Sequence, residues 1–125
     1  MPKLITVIFI ISLSLLAVLH YIALELYLYW QIWWLDIPMH LFGGAIIVFG
    51  LYSLQELGIL KDRSYSLLNI LTAVLVIAIA WEVFQYLITT VMKDDFVVDT
   101  LSDIMFGLSG SLLGYTVAKR LKDLD

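Results

Sequence analysis

The 125 residues contain no cysteine, which removes disulfides, thiolate metal sites and a Cys nucleophile. Charge is scarce as well. Asp, Glu, Lys and Arg make up 14% of the chain, hydrophobic residues make up 62%, and the mean hydropathy is +1.00. A soluble domain carries about 45–50% apolar residues, so the excess implies lipid as the solvent. Seven basic residues against eleven acidic ones leave a net charge of −4, which excludes the basic face that nucleic acid requires. No lysine falls inside an apolar run, so a retinal Schiff base is disfavoured. A phosphate-binding Gly loop is missing, and no Ser-His-Asp arrangement can be claimed.

What is present is four long apolar runs. A helical span needs about 20 mostly apolar residues to cross about 30 Å of hydrocarbon. Four segments meet this: Leu4 to Leu28, Ile37 to Leu57, Leu67 to Met92 and Val97 to Val117. Nothing alternates with a period of two, and open sheet edges are not tolerated in lipid. The expected fold is therefore all-α: a compact antiparallel bundle of four transmembrane helices forming a single membrane domain over 1–125. The first run follows Lys3 and is longer than the roughly 7–15 residues of a signal-peptide core, so it reads as an anchor and first span. Between the first two spans, Tyr27-Leu-Tyr-Trp-Gln-Ile-Trp-Trp suits the headgroup layer, where such rings concentrate. The same rings would also serve as bundle packing.

With alternating spans, Lys3, Lys61, Arg63, Lys119, Arg120 and Lys122 share one side, and Lys93 alone falls on the other. The positive-inside rule then puts both termini in the cytoplasm. The joints at 30–36 and 93–96 face outward.

Asp36, His40, Glu82, Asp99 and Asp103 fall toward that outer side. Asp36/His40 and Asp99/Asp103 are each four residues apart, which stacks both members on one helix face. An ionisable group in hydrocarbon costs roughly 2.5–3.5 kcal/mol even on the lenient insertion scale, so such groups line cavities or pathways. The pattern predicts a funnel, with Asp36 and Asp99 at the mouth, His40 and Asp103 one turn deeper, and Glu82 on the floor. Asp99, Asp103, Gly107, Gly110 and Gly114 form one stripe at spacings of four, four, three and four. Small residues let helices approach closely, so Gly107, Gly110 and Gly114 are expected to pack helices, with Gly43 and Gly44 in the same role on the second span. Gln85 and Tyr86 share the face of Glu82 and are expected beside the same cavity. Asp95 is close enough to extend its mouth.

Each of these residues also has an ordinary explanation. Asp36, before Ile37-Pro38, fits a helix N-cap, and Asp99 fits one in the fourth span. Thr100-Leu-Ser-Asp103 approximates a capping box. His40 reads equally as a hydrogen-bonded core histidine. Glu82, between Ile77-Ala-Ile-Ala-Trp81 and Val83-Phe84, is hardest to explain structurally. His20 and Glu25 are five apart and share a face poorly. Asn69 and Thr72 read as packing polar groups.

At Asp36-x-x-x-His40-x-x-x-Gly44, Trp81-Glu82-Val-Phe-Gln85-Tyr86 and Asp95-Phe-Val-Val-Asp99-Thr100-Leu-Ser-Asp103, the chain resembles the YjdF-type inner-membrane proteins and, more loosely, the wider VanZ-like group. The likeness covers about the last ninety residues. Gln85 stands where the pattern commonly has an acidic residue, and the chain has fewer spans than many YjdF-type members. The resemblance implies a multi-pass protein of a prokaryotic cytoplasmic membrane. Through the VanZ-like link to glycopeptide resistance it also implies cell-envelope substrates, by analogy only.

Three function classes follow. The first is a divalent-metal site (Mg, Mn, Zn or Fe) that binds or acts on a lipid-linked or cell-envelope molecule from the outer leaflet. There His40, Glu82 and Asp103 are ligands, with Asp36 or Asp99 as ligand or catalytic base. As an enzyme this would be a metal-dependent hydrolase or transferase. The second is a proton-coupled or cation carrier with Glu82 as midplane relay. The third is a non-catalytic assembly module, in which the charges specify helix pairing. The expected partners are the bilayer, a lipid-linked small molecule and a second copy of the chain, for which the Gly stripe would supply the interface.

Overall fold

A computed structural model of the chain describes residues 3–61, 66–88 and 96–124. The described residues are helical, without strands. In order they form α1 (Leu4–Glu25), α2 (Leu28–Gln31), α3 (Asp36–Glu56), α4 (Leu67–Ile88) and α5 (Phe96–Leu124). All but α2 are long and apolar enough to cross a membrane. Ile11, Leu68 and Leu113 are among many large apolar residues left more than half exposed. Such a surface, on helices of this length and hydropathy, fits a lipid surrounding.

The first span stops at Glu25, because Tyr27 takes the left-handed conformation (φ 55) and the following Leu-Tyr-Trp-Gln winds a separate turn, α2. α3 starts at Asp36 and is closed by Gly58 at φ +77, whose N–H reaches back to the Gln55 carbonyl at 3.1 Å. Ser66 caps α4 by accepting the Asn69 N–H at 3.2 Å. α5 continues through the basic segment to Leu124, where the sequence reading stopped at Val117. Its 29 residues extend about 43 Å, well beyond the hydrocarbon, and carry Lys119, Arg120 and Lys122 out of it. The last residues of the predicted third span, to Met92, lie outside the described residues, as do Arg63 and Lys93.

Side-chain contacts fix the helix directions. The Lys3 N–H at the start of α1 donates to Glu56 at the end of α3, so these two helices are antiparallel. Lys122 lies over the Tyr52 ring at 5.9 Å, so α3 and α5 run the same way. Tyr86 near the end of α4 meets Phe96 at the start of α5 (ring centroids 5.4 Å apart), so α4 runs opposite. Basic residues thus gather at one end of the bundle, and Asp36 and Asp99 lie at the other. α3 and α5 form the tightest pair. α1 packs mainly on α3 and α4 mainly on α5. Val48, Ile70, Val74 and Ala118 fill the core toward the basic end, where Ser53 Oγ also donates to Thr6 Oγ1 at 3.0 Å between α3 and α1.

Glycine sets the α3–α5 distance. A Cβ on Gly44 would collide with the Gly107 carbonyl, and one on Gly110 with the Leu41 carbonyl. One on Gly114 would lie 2.7 Å from Ala45 Cα. Gly43 differs from the expectation placed on it: a Cβ there would meet nothing within 4 Å, because the residue borders a cavity. Since Gly110 and Gly114 are buried against α3 of the same chain, the stripe is not free to pair with a second copy.

Candidate functional site

Gly44 and Gly107 bring the backbones of two parallel helices together, and every side chain one turn earlier is drawn in with them. One turn before Gly44 is His40, and one turn before Gly107 is Asp103. The His40 Nε2 lies 3.3 Å from Asp103 Oδ2. A further turn up α3, Asp36 Oδ1 lies 3.3 Å from the same nitrogen. Donor atoms of Asp36, His40 and Asp103 all fall within 4.8 Å of one another. The Asp103 carboxylate is nearly buried, that of Asp36 about one-third exposed. Asp36 is the first residue of α3, one position past the cap, which is Leu35 without a side-chain cap, and its carboxylate lies beside His40.

Glu82 is buried on α4 and accepts a hydrogen bond from Thr100 Oγ1 at 3.5 Å. It sits within electrostatic reach of Asp103, His40 and Asp99. Asp99, in the first turn of α5, also borders the cavity. So does Gln85, half-buried on the face of Glu82, and Tyr86, which is more exposed. Asp95 lies outside the described residues. The five-residue cluster therefore meets around one cavity, and the donors that converge most closely are Asp36, His40 and Asp103.

That cavity has a volume of about 640 Å³ and occupies the space between α1 and α4 in front of the α3–α5 pair. Its walls are mostly apolar, with Leu13 and Leu16 from α1 and Ile77 and Ala78 from α4. Two further polar residues on its wall, His20 and Tyr29, were not among the expected site residues. His20 Nδ1 lies 2.7 Å from the Tyr29 hydroxyl, and the Trp81 ring stands edge-on to His20 at 6.1 Å between centroids. Burial, reinforced by the negative charge of Asp36, pushes the Tyr29 phenol up to about 12, so it is a neutral O–H donor at neutral pH. The available signal was His20 itself, one of two histidines, placed in an apolar run. Spacing along α1 gives it no partner on its own helix face; its partner, Tyr29, lies across the α1–α2 turn.

Asp36, His40 and Asp103 each offer one ligand atom and form a group that could hold a metal ion. Two ligand atoms about 2.1 Å from a shared ion, at tetrahedral to octahedral angles, stand roughly 3.0–3.4 Å apart. The two imidazole–carboxylate separations of 3.3 Å fall in that interval, and the two carboxylates lie within 4.8 Å of each other. One imidazole with two carboxylates is a set that suits Zn, Mn or Fe better than a soft ion.

A membrane-spanning bundle with an acid-and-imidazole cluster at one end is the class that fold and site define. The chain belongs to the family described as Predicted membrane protein (DUF2238), whose sequence pattern matches residues 4–123. This is the YjdF-type family whose motifs the sequence carries, and the match spans nearly the whole chain. No curated protein and no solved structure matches it.

Proposed function

We propose that this protein holds a divalent cation on the outer side of the cytoplasmic membrane and presents it to a lipid-linked or cell-envelope headgroup in the adjoining cavity. The observation that carries this reading is the convergence of Asp36 and Asp103 on a single nitrogen of His40 at ligand-like distances. Asp36, His40 and Asp103 are ligands. Glu82 completes the set from α4, and Asp99 stands at the rim as the catalytic base of a hydrolase or transferase. A cation held there would polarise a phosphoester or acyl bond. The basic end of the bundle, with Lys3, Lys61, Lys119, Arg120 and Lys122, is the cytoplasmic one. Envelope substrates are also what the looser VanZ-like resemblance suggests.

A relay across the membrane is the weaker reading. Toward the basic end, Val48 and Val74 are wholly buried and Ile70 nearly so, and this packed apolar layer separates the cluster from the cytoplasmic surface.

Elemental analysis of protein purified in mild detergent tests the proposal. About one divalent ion per chain is expected, lost in His40→Ala and Asp103→Asn and weakened in Glu82→Gln. Wild-type protein that takes up no divalent ion, or variants that keep it, would refute the reading.

A further inference from the structure

The cavity walls are mostly apolar, and the carboxylates set into them give the space one sign of charge. Asp36, Glu82, Asp99 and Asp103 line it, whereas no lysine or arginine among the described residues does. The His40 imidazole lies against Asp36 and Asp103. Glu82 stands on the α4 wall and is 7% exposed, and the hydroxyl that donates to it, Thr100 Oγ1 at 3.5 Å, is neutral. Charge of one sign in a cleft with low-dielectric walls raises the local concentration of ligands of the opposite sign. The complementary ligand here is a cation.

A second, independent feature says what kind of cation. Aromatic rings from three elements line the same cavity: Trp30 from α2, Trp81 and Tyr86 from α4, and Phe96 from α5. They are braced by one another and by their neighbours. Trp81 meets His20 and Phe84 at 6.1 and 5.6 Å between ring centroids, and Tyr86 meets Phe96 at 5.4 Å. The face of a ring attracts a cation, most strongly for Trp, and groups of such rings are how proteins recognise quaternary ammonium ligands. The volume of about 640 Å³ lies within the roughly 300–1,000 Å³ of small-molecule sites. A bare metal ion would fill little of it and gain nothing from its apolar walls. An organic cation uses the acids, the rings and the volume together.

We propose that the cavity binds a lipophilic organic monocation, a fully substituted onium centre on an apolar body, with Glu82 as its counter-charge and Trp81 as its ring face. Such a centre has no N–H to satisfy, which suits walls that offer few acceptors. The proposal goes beyond the divalent-ion reading and stands without it. Where both ligands bind, they draw on the same negative charge, so each weakens the other, and equally in both directions.

Equilibrium dialysis of tetraphenylphosphonium against the purified full chain in maltoside micelles, with protein-free micelles as the blank, tests this. Tetraphenylborate, of the same shape and opposite charge, is the control. Wild-type protein is expected to bind the phosphonium saturably and at least about tenfold more tightly than the borate. Glu82→Gln is expected to weaken the phosphonium about tenfold. Trp81→Leu, which keeps apolar bulk and removes the ring, is expected to weaken it about threefold or more, with Trp81→Phe intermediate. Circular dichroism reports the folding of each variant, and the phosphonium–borate comparison needs no variant. Borate bound as tightly as phosphonium overturns the proposal, because apolar burial alone would then account for binding. Phosphonium affinity unchanged in both Glu82→Gln and Trp81→Leu overturns the assignment to this cavity, as does bound Mn²⁺ that leaves phosphonium affinity untouched. Phosphonium binding with the expected variant losses, in a protein that takes up no Mn²⁺, supports the proposal and refutes the divalent-ion reading alone.

Discussion

Gly44→Ala adds one methyl group at the point where α3 meets the Gly107 carbonyl. The added carbon would sit far inside the ordinary non-bonded distance of about 3.5 Å, so the helices must separate by on the order of 1 Å. Overpacking of this kind costs about 1–3 kcal/mol, offset by about 0.5–1 kcal/mol gained from removing a helical glycine. The net expectation is a loss of up to about 2.5 kcal/mol. The same displacement acts on His40 and Asp103, each one turn away, and stretches their 3.3 Å separation beyond what a shared ligand sphere spans. Divalent-cation affinity should then fall by about tenfold or more, as misplacement on this scale does at preorganised sites. Gly43→Ala is the matched control: same helix, same chemistry, and no atom within 4 Å of the new carbon. It should leave stability unchanged or raise it by up to about 1 kcal/mol. Unfolding in detergent followed by circular dichroism, with Mn²⁺ titration of each variant, measures both effects. Equal stability and equal affinity in the two variants would refute the claim that the Gly44–Gly107 contact builds the site.

The same comparison holds on α5. Gly110→Ala, which strikes the Leu41 carbonyl, should destabilise by about 1–3 kcal/mol in the same unfolding assay, while Gly107→Ala, whose Cβ meets nothing, should not. Ser66→Ala removes the cap on the Asn69 N–H and should cost about 0.5–2 kcal/mol, with Ser66→Asp restoring it. Tyr29 gives a pH signature. Its folded-state phenol is raised to about 12 against about 10 unfolded, so its contribution to stability is complete below pH 10 and is lost as pH rises toward 12. Alkaline unfolding curves of wild type and Tyr29→Phe should therefore converge across that window; parallel curves would show that the phenol is not held in this environment.

Composition and run length alone determined that this chain is an all-helical, four-span membrane protein, because 62% apolar residues without period-two alternation leave no other way to satisfy backbone hydrogen bonds in lipid. Spacing on a single helix was equally legible: Asp36 and His40, or Asp99 and Asp103, share a face whatever surrounds them, since 3.6 residues per turn dictates it. Which donors on different helices converge was decided by tertiary structure. Only the Gly44–Gly107 approach puts Asp103 at His40 Nε2 beside Asp36, while Glu82, the residue the sequence made most conspicuous, reaches the cluster from α4 with Thr100 as its hydrogen-bond partner. The glycines of one stripe look identical in sequence, yet Gly110 abuts a backbone and the Cβ position of Gly107 opens on space. His20 and Tyr29 met only because Tyr27 breaks the first span and folds α2 back onto it. Periodicity describes one helix at a time, and a site assembled from four helices and a turn depends on how far apart their backbones come to rest.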